Sequence, residues 1–329
     1  MGFGALVGPL AGRLHAVEGW KRRPDCLTRP ITAPVMILGV PRTGTTALYH
    51  LLWLDPQFQG PEMWLIDAPM PRPPRDTWSD NPAHQFSAAS IAALLQAAPG
   101  FAVAHPRDPN LPDECLDILK QCYANNLWGT MFPVPSYDAW WPRQDHLRQY
   151  RYLYRVLQLI GADDGRRWLL KDPTSLLHLP ELLQTFPDVA LIVTHRDPAE
   201  VLPSLCSLLR ALHILLQGDK ADVARIVERE TVLWSRAANA LVAAELEGPR
   251  IDIHQRDFRA EPMRVVHDIY ERLGLVLSAE AERAMRAHLA QATADPPLPH
   301  RYTPEHFGLD AKRIHERFAP YIEHFKVLG

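Results

Sequence analysis

The sequence has few cysteines, and none of them is arranged as a disulfide framework or a metal site would require. No C-x-x-C pair occurs and no histidine stands at metal-ligand spacing from a cysteine. Small secreted domains and zinc modules depend on such patterns. We therefore expect reduced thiols in a cytoplasmic protein. The four cysteines are Cys26, Cys115, Cys122 and Cys206.

An excess of basic charge is also missing, as is a membrane-spanning leader. The formal net charge of the 329 residues is −3, whereas broad nucleic-acid binding leaves a basic footprint. Residues 1–12 are mildly apolar, but they lack a basic region and are too short to span a bilayer. We expect no nucleic-acid partner, no stable membrane insertion and only local anion sites.

The most informative segment that is present is V-M-I-L-G-V-P-R-T-G-T-T, residues 35–46. An apolar strand runs into a short turn and then into a helical pattern, so backbone N–H groups and the helix dipole point at one place, where an anion binds. Gly39 and Gly44 have the spacing of the P-loop motif G-x-x-x-x-G-K-[ST], but Thr45 replaces its lysine. Arg42 supplies a cation instead. The pattern favours a nucleotide 5′-phosphate with one further group over a triphosphate with Mg²⁺; an ordinary strand–turn–helix corner is the alternative.

A second cationic position follows another buried strand, residues 189–194. Arg196 stands between that strand and a helix that starts near Pro198, at the carboxyl edge of a parallel sheet, where ligands bind. Its guanidinium can fork onto a phosphate, and Ser204, two turns along the helix, can add a hydroxyl. A salt bridge from Arg196 to Asp197 is the alternative.

Taken together, these motifs resemble those of sulfotransferases that use 3′-phosphoadenosine 5′-phosphosulfate (PAPS). P-R-T-G-T-T at 41–46, the Arg196/Ser204 pair and W-L-L-K-D-P at 168–173 occur in the family's order between residues 35 and 209. The segment P-H-R-Y at 299–302 resembles one that bacterial members fold over the nucleotide. The resemblance implies PAPS as donor, with no metal, and a donor site formed by Arg42, Thr43, Gly44, Thr45, Thr46, Arg196, Ser204 and Arg301.

In-line sulfuryl transfer to a hydroxyl needs a base, cations and positioning. A sulfuryl group carries less negative charge than a phosphoryl group, so side-chain cations can replace the Mg²⁺ of kinases. Arg42 and Lys171 are the candidate cations, because Lys171 closes an apolar strand and has to face a partner there. A structurally paired lysine is the alternative.

The resemblance also indicates the base. Glu62, just beyond the helix that follows the loop, stands where related sulfotransferases keep a catalytic glutamate. Cytosolic members use a histidine from a later segment, which makes His105 the rival, and Glu114 is a third choice.

Strand and helix patterns alternate, which predicts an α/β fold: a P-loop-like parallel sheet flanked by helices on both faces. Helical and Pro-rich insertions would surround the acceptor site. We expect one domain over 1–329, with an N-terminal arm (1–30) and a C-terminal segment (300–329) that packs back on the fold. Strands are predicted at 35–40, 168–171, 189–195 and 251–254, and helices at 45–54, 87–98, 113–125, 145–159, 176–186, 199–216, 221–246, 262–273 and 279–291.

Aromatic residues are concentrated in the segments expected around the acceptor. They favour a small hydroxyl acceptor that is apolar or contains a ring over a polysaccharide. A P-loop kinase and a nucleotide-binding protein without catalysis are the competing functions. The aromatic residues are Trp64, Trp78, Phe101, Trp128, Phe132, Tyr137, Trp140 and Trp141.

Overall fold

The fold is built on a sheet of five parallel strands. The computed structural model describes residues 2–97, 107–218, 221–244, 246, 248–294 and 304–328. The strands are β1 Val35–Gly39, β2 Phe58–Gln59, β3 Arg167–Lys171, β4 Ala190–His195 and β5 Arg250–His254. Their order in the sheet is β2-β3-β1-β4-β5. The two strands that precede the predicted cations, β3 and β4, therefore flank β1 and its loop.

Helices cover both faces of the sheet. The described helices are α1 Gly2–Arg22, α2 Thr45–Leu52, α3 Met63–Asp67, α4 Pro82–Ala97, α5 Cys115–Leu119, α6 Asn126–Met131, α7 Pro135–Trp140, α8 His146–Ile160, α9 Leu179–Thr185, α10 Pro198–Gln217, α11 Val223–Ala243, α12 Gln255–Ala260, α13 Pro262–Leu273, α14 Ala279–Ala294, α15 Ala311–Arg317 and α16 Ala319–Phe325. This arrangement confirms the predicted fold class.

The side chains of β1 alternate between two hydrophobic cores, one on each face of the sheet. Met36 and Leu38 point to one face, where helices α8 to α11 pack, and Val35 and Ile37 point to the other, where α2, α13 and α14 pack. Successive side chains of a strand face opposite sides, so a strand buried on both faces reads as an unbroken apolar run. That run is what made β1 predictable.

Helix α10 has the length and composition of a membrane-spanning helix, but it packs in the core of the fold. It is 20 residues long with a mean hydropathy of 1.5, enough to cross a membrane by length and composition. In the fold it packs against α11, and Val201, Leu202 and Leu205 lie in the core. It serves here as a core helix.

Several predicted bounds need correction. Strand β2 was not predicted, because two residues give no period. The predicted helix 113–125 is α5 followed by a 3₁₀ turn, Lys120–Cys122, which ends at Tyr123 in the left-handed region (φ 60°). The start of the predicted helix 176–186 is a separate 3₁₀ turn, Pro173–His178, before α9.

Candidate active site

The loop after β1, residues 40–44, leaves the strand through a glycine. Gly39 has a φ of +154° and lies opposite Thr194 in the β1–β4 register, where a Cβ atom would collide with the Thr194 hydroxyl. The Thr43 hydroxyl donates to the Val40 carbonyl at 2.8 Å and lies 2.6 Å from the Thr194 hydroxyl. Thr43 was predicted to bind the sulfuryl donor. In this structure its hydroxyl instead bonds to Val40 and Thr194 and so fixes the conformation of the loop.

Helix α2 starts directly from this loop. Gly44, at φ +96°, precedes the first helical residue, Thr45. The first N–H groups of a helix have no partner within it and carry the positive end of the dipole. Thr45 is buried, while Thr46 remains partly exposed. The loop and the helix start therefore have the geometry of an anion cradle.

Three predicted residues come together on the β4 side of the loop, and we call them the Arg196 end of the site. Arg42 Nε donates to Ser204 Oγ at 3.1 Å, and Arg196 Nη1 donates to the Arg42 carbonyl at 3.1 Å. Arg196 Nε also donates to Glu200 Oε2 at 2.9 Å. The Arg196 side chain is 21% exposed and Glu200 is 59% exposed. A partly exposed guanidinium, Arg196, therefore lies beside a second guanidinium that bonds to the buried Ser204 hydroxyl.

On the β3 side of the loop, a second cation is buried, and we call this group the Lys171 end. Lys171 Nζ donates to Glu114 Oε1 at 2.7 Å and to Thr46 Oγ1 at 3.2 Å. The lysine side chain is 1% exposed, against 17% for Glu114. The ammonium thus faces the first turn of α2 and is paired with a carboxylate, and its role in catalysis stays a prediction.

Asp172 fixes the backbone next to Lys171. Its carboxylate accepts hydrogen bonds from the N–H and hydroxyl of Thr174 and from the hydroxyl of Ser175, which in turn accepts from Tyr150. Burial raises the pKa of Asp172 to about 6. The K-D-P sequence thereby anchors the lysine through a polar chain to helix α8.

Glu62 is paired with a different cation, Arg72. Its carboxylate accepts from Arg72 Nε at 3.0 Å, and Arg72 Nη1 also donates to Gln59 at 2.8 Å and to Asp164 at 2.7 Å. The Glu62 side chain is 3% exposed. Burial raises the pKa of Glu62, while Arg72 acts in the opposite direction. Its role as the base remains a prediction.

A short backbone pairing connects the two glutamates. Glu62 forms an antiparallel bridge with Pro112, and the Asp113 N–H donates to the Pro61 carbonyl at 3.0 Å. The segments that carry Glu62 and Glu114 therefore run side by side. This pairing could not be predicted from local sequence patterns, because it joins residues about fifty positions apart.

The other predicted site residues either lie outside the described residues or are aromatic side chains that differ in burial. His105, Arg301 and Phe101 lie outside the described residues. Tyr137 donates its hydroxyl to the carbonyls of Tyr123 and Asn125, which gives it a structural role. The remaining predicted aromatic residues divide into a buried group, Trp64, Trp78, Trp128 and Trp141, and a more accessible pair, Phe132 and Trp140.

The C-terminal helices support β4 at its carboxyl end. His195 contacts Tyr321 Oη at 3.0 Å and Asp252 Oδ1 at 2.9 Å, and its ring stacks on Phe325 at 4.3 Å. His315 pairs with Asp197, which caps α10. Residues 304–328 thus hold the turn that carries Arg196.

Among the residues that the structure describes, no group of three or more histidine, cysteine, aspartate or glutamate side chains could hold a metal ion. The charged groups around the loop are paired with one another instead. Partners such as Thr194, Arg72 and Glu200 were missed by sequence reasoning, since each is recognisable only once the strands are side by side.

Comparison with known proteins points to one family. The model described as "Sulfotransferase family" matches residues 34–279. The chain is 26% identical over 259 residues to omega-hydroxy-beta-dihydromenaquinone-9 sulfotransferase Stf3 of Mycobacterium tuberculosis. The same protein of Mycobacterium bovis matches equally well. The match covers 74% of this chain, which spans only 63% of the length of those relatives.

Two solved structures are similar over nearly the whole chain. Sulfotransferase STF1 from Mycobacterium tuberculosis H37Rv superimposes with a TM-score of 0.83 at 35% identity, over 95% of this chain and 83% of that one. STF9 from Mycobacterium avium gives a TM-score of 0.83 at 28% identity, over 97% and 83%. The match to the family model and these likenesses agree with the motifs at the loop: the chain belongs to the sulfotransferase family.

Proposed function

We propose that this protein transfers the sulfuryl group of PAPS to a hydroxyl of a small lipophilic acceptor. The observation that carries the proposal is the pair of cationic ends on the two sides of one loop. Arg196 and Ser204 lie on the β4 side and Lys171 on the β3 side. A donor with a 3′-phosphate and a 5′-phosphosulfate has two anionic groups to satisfy, which suits this arrangement.

The Arg196 end would hold the 3′-phosphate. Arg196 and Arg42 present guanidinium groups, whose planar donors fit a phosphate, and Ser204 adds a hydroxyl. The loop N–H groups and Thr46 would hold the 5′-phosphate at the start of α2. Because Thr45 replaces the P-loop lysine, a triphosphate with Mg²⁺ has less support, which weighs against a P-loop kinase.

The transfer step follows from the charges at the Lys171 end. The acceptor oxygen attacks sulfur, a new S–O bond forms, and the S–O bond to the 5′-phosphate breaks. The electron pair of that bond stays on the leaving phosphate, so adenosine 3′,5′-bisphosphate departs. Lys171 would stabilise the charge that grows on the bridging oxygen. The acceptor's proton passes to a carboxylate.

Two glutamates compete for that proton, and their contacts favour Glu114. Both carboxylates are ion-paired, but Glu114 is paired with the candidate catalytic Lys171 and is 17% exposed, whereas Glu62 is paired with Arg72 and is 3% exposed. A base has to lie within hydrogen-bond reach of the proton that it removes. The raised pKa of buried Glu62 keeps it as the alternative.

The acceptor class rests on the aromatic segments and on one relative. The Stf3 proteins are named for a hydroxylated menaquinone, a lipid. Half-buried aromatic rings line apolar ligand sites in many proteins, and Phe132 is half-buried. We propose a hydroxyl on an apolar or ring-containing molecule as the acceptor.

The test is transfer of radiolabelled sulfate from PAPS to a panel of hydroxylated quinones, sterols, phenols and sugars. We expect labelled product with a lipophilic alcohol, no requirement for Mg²⁺ and no phosphate transfer from ATP. Phosphate transfer from ATP would instead establish a kinase. Nucleotide binding without turnover on any acceptor would favour a binding protein.

A further inference from the structure

Helix α1 is held against the protein by its smallest residues. Ala16 is fully buried, and a Cβ atom at Gly12 would lie 2.8 Å from Gln121 Nε2, and one at Gly19 would collide with Leu159. Small residues at this spacing let a helix approach its neighbours closely, so α1 is fixed in one rotation about its axis. Its opposite side is therefore held outward.

That outward side is apolar, and we call it the α1 face. Leu6, Val7, Leu10 and Leu14 are 51%, 41%, 48% and 61% exposed. They follow the i, i+4, i+8 spacing of one side of a helix. Single exposed leucines are ordinary, but a continuous stripe marks a contact surface.

Beside the α1 face lies a cavity of about 570 Å³ that we call the arginine cavity. Arg13 of α1 and Arg148, Arg151 and Arg155 of α8 line it. The aromatic part of its wall includes Trp20, over which the Arg155 guanidinium lies at 4.8 Å. Four cations thus share one opening at the edge of an apolar stripe.

These cations are not neutralised locally. In the described parts of the chain, no carboxylate lies within ion-pair distance of Arg13, Arg148 or Arg151. Asp145, the acid in the cavity wall, accepts from the Arg148 backbone N–H as the cap of α8. The chain as a whole has a formal charge of −3, so this concentration of positive charge runs against its average.

We propose that the α1 face and the arginine cavity form a docking surface for an anionic phospholipid bilayer. The leucines would enter the boundary between headgroups and acyl chains, with α1 parallel to the membrane plane, and the arginines would bind headgroup phosphates. Peripheral proteins bind anionic membranes in that way, through apolar side chains at the interface and basic side chains against the headgroups; here α1 supplies the leucines and α8 supplies three of the four arginines. The proposal is independent of the enzyme's reaction.

Charge distinguishes a bilayer from a second copy of the chain. A two-fold interface places the same patch on both partners, so the four arginines of each copy would approach those of the other. Like charges brought together oppose association. An anionic bilayer supplies the opposite charge, and its apolar interior accepts the leucines.

Vesicle flotation tests the proposal at low salt, with phosphatidylcholine vesicles and with vesicles that contain 30% phosphatidylglycerol. We expect binding to the anionic vesicles only. The double variant Arg148→Gln/Arg151→Gln should weaken it by about 30-fold, since one basic residue at a membrane contributes about five-fold. Leu10→Ser/Leu14→Ser should reduce it by at least about ten-fold, since each leucine gives up buried apolar surface.

Matched controls lie on and between α13 and α14. Val276→Ser removes a side chain that is 79% exposed, and Arg264→Gln/Arg286→Gln removes two charges that line another surface depression; both should bind vesicles as the wild type does. Absence of wild-type binding, or binding that neither α1-side variant changes, would overturn the proposal. So would a dimer that Leu10→Ser/Leu14→Ser dissociates, because the stripe would then be an interface between copies.

Discussion

The two ends of the candidate site differ in how their cations are held. Arg196 is 21% exposed and bonds to Glu200, which is largely in solvent. Lys171 is 1% exposed and bonds to Glu114 and Thr46. An accessible guanidinium can exchange its carboxylate for an incoming phosphate at low cost, because surface ion pairs are weak. A buried ammonium keeps its position. We infer that the Arg196 end sets affinity and the Lys171 end sets rate.

Lys171→Met should produce the largest change. Removal of one group that stabilises transition-state charge typically lowers kcat by about 10²–10³. The affinity for adenosine 3′,5′-bisphosphate should change only a few-fold. Steady-state kinetics and calorimetry separate the two, with exposed Lys312→Met as the control. A variant that loses affinity but keeps kcat would contradict the division.

The two glutamates provide the next comparison. Glu114→Gln should lower kcat by about 10²-fold or more, as loss of a general base does. Glu62→Gln should instead lower the free energy of unfolding by about 2 kcal/mol, because it weakens a charge-assisted bond to buried Arg72. Kinetics and urea unfolding of both variants check this. The reverse result would make Glu62 the base.

Arg196→Ala should weaken bisphosphate binding by about 10- to 150-fold, the range for a charge-assisted hydrogen bond. At saturating donor, kcat should stay within a few-fold of the wild type. Exposed Arg210→Ala on the same helix is the matched control. If kcat falls while affinity is kept, Arg196 belongs to the reacting end.

The free energy of unfolding should depend on pH through His178, the last residue of the 3₁₀ turn Pro173–His178. His178 stacks on His146 at 3.8 Å, and burial lowers the pKa of His178 to about 3. The folded state therefore excludes a proton that the unfolded chain binds below about pH 6.5. The contribution of His178 to the free energy of unfolding is fully present above that pH and is lost as the pH falls from 6.5 to 3. From pH 7.5 to 5.5 the contribution of His178 to the free energy of unfolding falls by about 1 kcal/mol.

Urea unfolding at these two pH values measures the loss, and His178→Gln should lose about 1 kcal/mol less than the wild type. Asp172, whose pKa is raised to about 6 by burial, changes stability in the opposite direction. Both proteins contain Asp172, so the difference between them reports His178 together with its effect on the stacked His146. Equal losses in both would show that His178 takes up its proton in the folded state.

Glu200→Gln should give the smallest effect, and it should strengthen bisphosphate binding where Arg196→Ala weakens it. The carboxylate occupies Arg196 in the structure and would have to leave when a phosphate arrives. Its neutralisation should tighten bisphosphate binding by about two- to five-fold, the size of a surface ion pair. Titration calorimetry of the variant checks this, and weaker binding would mean that Glu200 positions Arg196.

Local sequence determined much of the fold and the Arg196 end. Strand β1 and the loop were predictable because burial on both faces and the glycine spacing leave local patterns. The location of Arg42 and Arg196 at one edge of the sheet followed from the rule that parallel strands end there, whereas their contacts with each other, with Ser204 and with Glu200 were not predicted. Their common location needed no knowledge of distant packing.

The remainder depended on tertiary contacts. Glu114 lies next to residues 111–113, which pair with 61–63 just before α5 starts at Cys115, and this pairing brings it to Lys171. Arg72 holds Glu62 through a loop that has no regular period. Neither contact has a pattern in the sequence, so the preference for Glu114 that we propose rests on the tertiary arrangement alone.

The most direct test of the account is a calorimetric comparison of three nucleotides with the wild-type protein: adenosine 3′,5′-bisphosphate, adenosine 5′-monophosphate and ATP with Mg²⁺. We predict that the bisphosphate binds at least about tenfold more tightly than the monophosphate, since one charge-assisted phosphate contact contributes about 1.5–3 kcal/mol. It should also bind more tightly than ATP. Equal affinity for bisphosphate and monophosphate, or preference for ATP, would contradict the assignment of the Arg196 end to a 3′-phosphate.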